Sequence, residues 1–286
     1  MTTHPRVAID VDDDDALDIE YRVVDGPSSA PLIVFLHEGL GSVAMWKDFP
    51  DALCRTGGCR GLVYSRPGYG ASTARPAGEK WKPDFMHRQA QVVLPALLLS
   101  LDIDTRNEPP WLFGHSDGAS IALIHAASFP DRVAGLIVLA PHLDVEQKGI
   151  DSIVDARNAY LNGSMRSKLA RHHADVDSAF WGWADIWLDP GFRSWDIRSL
   201  LPAITAPILA IQGLDDPYGT MAQIDRIAAA LPRTELLELD DCRHSPHVDR
   251  PGAVIEASVH FIEPRASTTS VDACAAYPQD RLYRTN

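Results

Sequence analysis

A serine stands at the centre of the pentapeptide Gly114-His115-Ser116-Asp117-Gly118. The apolar run before it, residues 111–113, predicts a strand, and residues 117–128 after it predict a helix. A strand–Gly-x-Ser-x-Gly–helix junction holds a serine on a tight turn, with its hydroxyl exposed at the carboxyl end of the sheet. The amino terminus of the helix favours negative charge that develops at this point. The pattern therefore predicts a nucleophilic serine.

A serine hydroxyl is a weak nucleophile unless a base takes its proton and a third group orients that base. In this architecture the chain order is serine, acid, histidine, with each residue on a loop after a strand. Asp215 and Asp216 follow the apolar run 208–211, and His244 and His247 follow the run 236–239. Both pairs lie at the carboxyl ends of predicted strands, where open α/β sheets bind their ligands. The sequence therefore contains a candidate Ser-Asp-His triad in the expected order.

Short apolar runs alternate with helical stretches along the chain, which is typical of parallel strands joined by crossover helices. The first two strands read instead as an antiparallel pair. We predict an α/β fold with a mostly parallel, eight-stranded sheet flanked by helices. The predicted strands are residues 6–11, 17–24, 32–36, 62–64, 111–113, 136–140, 208–211 and 236–239, and the predicted helices are 43–55, 85–101, 117–128, 218–230 and 253–262.

The alternation stops between residues 143 and 203, where several short helical stretches hold four of the seven tryptophans. We predict an inserted helical cap subdomain at 143–203, within a core domain formed by 1–142 and 204–263. The remaining residues, 264–286, are polar and without periodicity, so we expect a flexible tail.

The chain carries 26 basic and 39 acidic side chains among 286 residues, which gives a net charge of −13. An acidic surface repels phosphate backbones and anionic lipid, so we expect neither nucleic acid nor a membrane as a partner. Four cysteines in a chain of this length do not form a disulfide framework. Because no secretory signal or spanning segment is visible, we expect a cytoplasmic protein with a small-molecule substrate, and a homodimer is possible.

Four motifs accompany the serine pentapeptide Gly114-His115-Ser116-Asp117-Gly118: His37-Glu38-Gly39-Leu40-Gly41, Ser65-Arg66-Pro67-Gly68-Tyr69-Gly70, Gly213-Leu214-Asp215-Asp216 and His244-Ser245-Pro246-His247. Together they resemble the α/β-hydrolase superfamily, in the capped branch that includes bacterial esterases and meta-cleavage C–C hydrolases. The resemblance covers about residues 18–263. It implies the α/β-hydrolase fold, with the cap over the active site. Dehalogenases and epoxide hydrolases of this fold use aspartate at the nucleophile position, so the serine argues against both chemistries.

The resemblance also assigns roles to individual residues. Asp216 matches the family acid, three residues after a glycine, with Asp215 and Asp144 as alternatives, and His244 matches the family histidine. The main-chain N–H groups of Gly39 and Asp117 are expected to form the oxyanion hole.

Relatives usually have glycine where this chain has Glu38, and we expect this carboxylate to face away from the hole. Further candidates for substrate contact lie in the cap, at its hinge and beside the catalytic histidine. These substrate-binding candidates are Glu38, His142, Trp183, Trp187 and His247.

We predict a serine hydrolase that cleaves a small carboxylic ester through an acyl-enzyme, with no cofactor and no metal. The same residues could serve a C–C hydrolase acting on a ring-cleavage product, a thioesterase or a lactonase, because pocket shape and water placement decide the bond type. A lyase, a cofactor-free oxygenase and a non-enzymatic ligand receptor are further alternatives. The complete triad argues against the receptor.

Overall fold

The computed structural model describes residues 4–12, 15–76 and 78–266. Its centre is one eight-stranded sheet with the order β1-β2-β4-β3-β5-β6-β7-β8. Strands β1 and β2 pair antiparallel, β2 also pairs antiparallel with β4, and all other pairs are parallel. The strands are β1 Arg6–Asp12, β2 Asp15–Val24, β3 Leu32–Leu36, β4 Arg60–Tyr64, β5 Trp111–His115, β6 Gly135–Leu139, β7 Ile208–Gly213 and β8 Glu235–Leu239. The predicted mostly parallel, eight-stranded α/β fold is confirmed.

Helices cover both faces of this sheet, and two buried apolar clusters fill the space between sheet and helices. The helices are α1 Phe49–Gly57, α2 Phe85–Arg88, α3 Leu94–Ser100, α4 Asp117–Ser128, α5 Gln147–Asn162, α6 Met165–Leu169, α7 Val176–Leu188, α8 Ala222–Ala230, α9 Pro246–Asp249 and α10 Pro251–Ala266. No helix in the described part of the chain is long and apolar enough to cross a membrane.

Three predicted helices differ from the observed ones. The stretch 43–55 is a 3-10 turn, Val43–Trp46, followed by α1, because Lys47 adopts a positive φ of 51° between them. The stretch 85–101 is interrupted by a π-helical turn, Gln89–Val93, just before Pro95. The stretch 218–230 becomes helical only at Ala222, because the loop before it wraps around an aspartate of the candidate site.

The helical insertion lies between β6 and β7 and consists of α5, α6, α7 and two 3-10 segments, Pro190–Ser194 and Arg198–Ala203. It has its own aromatic packing, in which Tyr160 stacks on Phe180 with ring centroids 3.7 Å apart. The predicted boundaries of the cap, residues 143 and 203, remain a prediction. Of the predicted tail, residues 264–266 continue α10, and 267–286 lie outside the described residues.

Candidate active site

Ser116 sits on a sharp turn between β5 and α4. Its backbone has φ 53° and ψ −120°, a conformation that non-glycine residues rarely adopt and that costs on the order of 1–3 kcal/mol. The flanking glycines make the turn possible: a Cβ on Gly114 would lie 2.6 Å from the Cα of Ala119, and one on Gly118 would lie 2.1 Å from the carbonyl oxygen of Leu36. The turn therefore fixes the serine at the carboxyl edge of the sheet.

A continuous chain of hydrogen bonds links Ser116, His244 and Asp216. The Oγ of Ser116 lies 2.9 Å from Nε2 of His244, and the Nδ1 of that ring lies 2.9 Å from both carboxylate oxygens of Asp216. Because a carboxylate accepts, Nδ1 carries the proton and Nε2 is free to accept the serine proton. This arrangement can remove a proton from Ser116 and stabilise the resulting imidazolium.

Asp216 is buried and fully hydrogen-bonded. Its Oδ1 accepts from the main-chain N–H of Tyr218 at 2.8 Å, and its Oδ2 accepts from Nε2 of Gln212 at 2.7 Å. Burial by itself would raise the pKa of Asp216, but the charge and hydrogen bond of His244 and the N–H of Tyr218 hold this pKa below its usual value. The carboxylate therefore stays ionised at neutral pH.

The two alternative acids point elsewhere. Asp215 is exposed to solvent. Asp144 is hydrogen-bonded to Arg226, with Nη1 2.9 Å from Oδ2, and to the side chain of Gln223. Neither contacts His244 among the described hydrogen bonds, whereas Asp216 does.

The loop after β3 is held by two buried side chains. The carbonyl oxygen of Glu38 accepts from Nδ1 of His37 at 2.6 Å and from Nη2 of Arg66 at 2.8 Å. Burial and the charge of Arg66 lower the pKa of His37, so that ring stays neutral, and its Nε2 accepts from the main-chain N–H of Arg66. In a trans peptide, C=O and N–H point in opposite directions. The N–H of Gly39 is therefore directed away from these two side chains.

Asp117 connects this loop to the cap. Its Oδ2 lies 3.6 Å from Nη2 of Arg66, and both side chains are almost completely buried. Its Oδ1 accepts from Nε1 of Trp187 on α7 at 3.2 Å. Burial raises the pKa of Asp117, while the charge of Arg66 opposes this shift.

A cavity of about 330 Å³ opens at Ser116 beneath the insertion. Eight of the predicted site residues line it: Glu38, Gly39, Ser116, Asp117, His142, Trp183, Trp187 and His244. Sequence reasoning missed the aliphatic and methionine side chains of the wall. These residues are Leu40, Met45, Ile153, Met165 and Leu169. Most of them come from the insertion, and nothing in their order along the chain indicates which face of a cap helix is turned toward the serine.

His142 stands beside the nucleophile. Its Nε2 lies 3.4 Å from the Oγ of Ser116, and its ring packs edge-on against Trp187 with centroids 5.0 Å apart. Burial and the neighbouring charge of His244 lower the pKa of His142 to about 4. It is therefore a neutral imidazole at neutral pH and does not compete as a cation with the triad histidine.

Glu38 points toward His115, the residue before the nucleophile. The Oε2 of Glu38 lies 3.4 Å from Nδ1 of His115, whose Nε2 donates to the carbonyl oxygen of His244 at 2.7 Å. Burial by itself would raise the pKa of Glu38, but the hydrogen bond and charge of His115 outweigh burial and bring this pKa below its usual value. The carboxylate is therefore ionised. His115 thus joins the loop after β3 to the loop that carries His244, a contact that sequence reasoning missed.

His247 does not line the cavity. Its ring packs against Trp46, Phe49 and His115, with centroid distances of 4.8, 5.5 and 4.8 Å. The expectation that it contacts substrate is therefore not supported: α9 begins at Pro246 and turns the ring into the core behind His115. In the part of the chain that the structure describes, no group of three or more His, Cys, Asp or Glu side chains is arranged to hold a metal ion.

Residues 33–257, more than half of the chain, match the family described as the Alpha/beta hydrolase family. The chain belongs to this family.

Three individual proteins resemble this α/β-hydrolase at identities of 20–31%. It is 31% identical over 123 residues to the mouse sn-1-specific diacylglycerol lipase ABHD11, a match that spans 43% of this chain and only 36% of that protein. It is 26% identical over 263 residues to the putative carbamate hydrolase RutD of Agrobacterium fabrum, across 84% of this chain and 96% of that protein. A thermophilic esterase from Thermogutta terrifontis superposes with a TM-score of 0.71 at 20% identity, covering 92% of this chain and 99% of that one. This last likeness shows the shared fold.

Two more residues that sequence reasoning missed support the acid and the base of this α/β-hydrolase. Gln212, a polar side chain at the end of the otherwise apolar strand β7, donates to Asp216. Tyr218 donates its main-chain N–H to the same carboxylate and packs its ring 4.6 Å from the centroid of the His244 ring. The polar residue in an apolar strand is a signal in the sequence that could have indicated Gln212.

Proposed function

We propose that this α/β-hydrolase is a serine hydrolase that cleaves small, neutral carboxylic esters. The observation that carries the proposal is the hydrogen-bonded chain from Asp216 through His244 to Ser116, which ends at the mouth of an apolar cavity. A nucleophile, a base and an orienting acid within hydrogen-bond reach are the arrangement that acyl transfer requires.

In the first half of the reaction, the Oγ of Ser116 attacks the ester carbonyl while its proton passes to Nε2 of His244. The N–H groups of Gly39 and Asp117 stabilise the negative oxygen of the tetrahedral intermediate. The intermediate then expels the alkoxide, which takes the proton from His244. In the second half, water gives a proton to His244 and attacks the acyl-enzyme, and Ser116 recovers its proton as the carboxylic acid leaves.

Two features support an oxyanion hole formed before substrate binds. The carbonyl of Glu38 is fixed by His37 and Arg66, which turns the N–H of the same peptide, that of Gly39, in the opposite direction. Within the described residues, neither this N–H nor that of Asp117 donates to a main-chain acceptor.

The cavity wall supports a neutral acyl group. Its lining is dominated by aliphatic, methionine and tryptophan side chains, and among the described lining residues there is no lysine or arginine. Glu38, whose carboxylate is ionised, also lines the cavity. A substrate carboxylate would lose its hydration here without gaining a cationic partner, which disfavours acidic acyl groups.

Hydrolysis of p-nitrophenyl esters from acetate to octanoate, with wild type beside Ser116→Ala, tests the proposal. We expect turnover by the wild type, loss of at least about 10³-fold in the variant, and an optimum at a short to medium chain. The matched pair p-nitrophenyl butyrate and mono-p-nitrophenyl succinate tests the charge preference, and we expect the neutral ester to have the higher kcat/KM. No turnover of any ester, or equal turnover by both proteins, would refute the proposal.

A further inference from the structure

The cap helix α7 approaches both residues of the proposed oxyanion hole. Trp183 and Trp187 are one helical turn apart and therefore lie on the same face of α7. Trp187 hydrogen-bonds the side chain of Asp117 through its Nε1–H. Trp183 meets the other residue, because a Cβ on Gly39 would lie only 2.2 Å from Nε1 and 2.3 Å from Cδ1 of this indole.

The polar edge of the Trp183 indole is thus the part in contact with Gly39. Any side chain at position 39 would displace the indole, so this glycine is required by the contact as well as by the loop. Only 7% of the Trp183 surface is exposed, and the residue lines the same cavity as Ser116 and Gly39. Its Nε1–H donates to no group in the described part of the chain, and it is not among the buried polar atoms sealed from solvent without a partner.

Two other indole groups at α7 or beside it are different. The Nε1–H of Trp187 is used by Asp117, and that of Trp195 is sealed in the interior without a partner. Trp183 therefore holds an unused donor that can reach the cavity beside the loop where the ester carbonyl oxygen must lie. An indole N–H is a donor only and cannot accept, so it favours a partner that gains negative charge.

We propose that the Nε1–H of Trp183 is a third hydrogen-bond donor to the carbonyl oxygen of the ester, and that this hydrogen bond strengthens as the oxygen becomes negative. Trp183 is then a catalytic residue supplied by the cap, in addition to the N–H groups of Gly39 and Asp117. No bond is made or broken by the indole, and its proton stays on nitrogen. This inference rests on the proposed ester hydrolysis.

Trp183→Phe tests the inference, because it keeps an aromatic ring and removes the donor. Trp181→Phe is the matched control: it makes the same change on the same helix, but its ring packs against Tyr160 and Phe180 and does not line the cavity. Replacing the Trp183 indole by the isosteric benzothiophene ring, through an unnatural amino acid, removes the N–H with the shape retained and serves if the phenylalanine variant folds poorly.

The measurements are kcat and KM for p-nitrophenyl butyrate and the inhibition constant of butylboronic acid, which forms a tetrahedral adduct on an activated serine. Losing one oxyanion donor typically lowers kcat by about 10²–10³-fold, and for a third donor we expect about 10–100-fold. We expect KM to stay within about threefold and boronate inhibition to weaken by a factor similar to the loss in kcat.

Two results would overturn the inference: kcat of the Trp183 variants within about threefold of Trp181→Phe, or an effect confined to KM. Failure of the proposed function gives a different result, since the wild type itself would then neither hydrolyse the ester nor bind the boronate.

Discussion

Replacing Arg66 by methionine should reveal how much the protein depends on the ion pair beneath the nucleophile turn. Arg66 is fully buried, and its Nη2 lies 3.6 Å from Oδ2 of Asp117 and 2.8 Å from the carbonyl oxygen of Glu38. At a separation of 3.6 Å and an effective dielectric constant of about 20, two unit charges attract by about 4–5 kcal/mol. Removing one partner of a buried pair typically costs about 3–5 kcal/mol, since the other charge is left unpaired.

We therefore expect Arg66→Met to lower the free energy of unfolding by about 3–5 kcal/mol at pH 8. Without Arg66, burial raises the pKa of Asp117 further, and a carboxyl whose folded pKa exceeds its unfolded one destabilises the fold as pH rises above the unfolded value. The loss should thus be smaller at pH 5 than at pH 8. We also expect kcat to fall by about tenfold, because the carbonyl of Glu38 loses the charged one of its three donors and keeps only His37 and the main-chain N–H of Gly41.

The assay is urea unfolding followed by circular dichroism at both pH values, with Arg66→Met, Asp117→Asn and the double variant compared in a cycle. The Asn side chain can still accept from Trp187 and leaves no charge unpaired in the double variant. A double variant more stable than Arg66→Met at pH 8 is the expected result. Two results would contradict a stabilising ion pair between Arg66 and Asp117. One is that the losses of unfolding free energy in the two single variants simply add in the double variant, and the other is that Arg66→Met is within about 1 kcal/mol of wild type.

Asp216→Asn should lower kcat by about 10⁴-fold, because both carboxylate oxygens accept hydrogen bonds and an amide must turn its NH₂ against a donor. Asp215 is exposed, so the control Asp215→Asn should change kcat less than twofold. Stopped-flow esterase assays measure both variants, and equal effects would contradict the assignment of Asp216 as the triad acid. Burial lowers the pKa of His125 to about 4, so this residue stabilises the fold above pH 6.5 and loses that contribution as pH falls toward 4, by up to about 3 kcal/mol. His125→Asn should therefore show a smaller loss of unfolding free energy between pH 7 and 4.5 than wild type, and parallel losses in urea titrations would count against this.

The nucleophile turn and the positions of the strands along the chain could be predicted because their signals are local. At Gly114 a side chain would collide with α4, and at Gly118 it would collide with β3, so glycine is required at both positions. An apolar run such as that of β5 marks a strand buried on both faces. The register of Asp216 after Gly213 likewise places that carboxylate, and not Asp215, against His244. Local geometry fixes all three features.

The remaining site features depend on contacts between distant segments. Glu38 is directed to His115, 77 residues further along the chain, and the placement of Trp183 against Gly39 follows from how the cap docks. His247 lies one turn from the triad histidine, yet its ring enters the core next to Trp46. Residue type and spacing alone do not distinguish a cavity-facing histidine from a core-facing one three residues further along the chain.

The proposed function requires that Ser116 is an activated nucleophile. Intact-mass analysis after treatment with a fluorophosphonate, on wild type and Ser116→Ala side by side, tests it without any assumption about the substrate. We expect one phosphonyl group on the wild type and none on the variant. A wild type that stays unmodified, or a variant modified to the same extent, would contradict it.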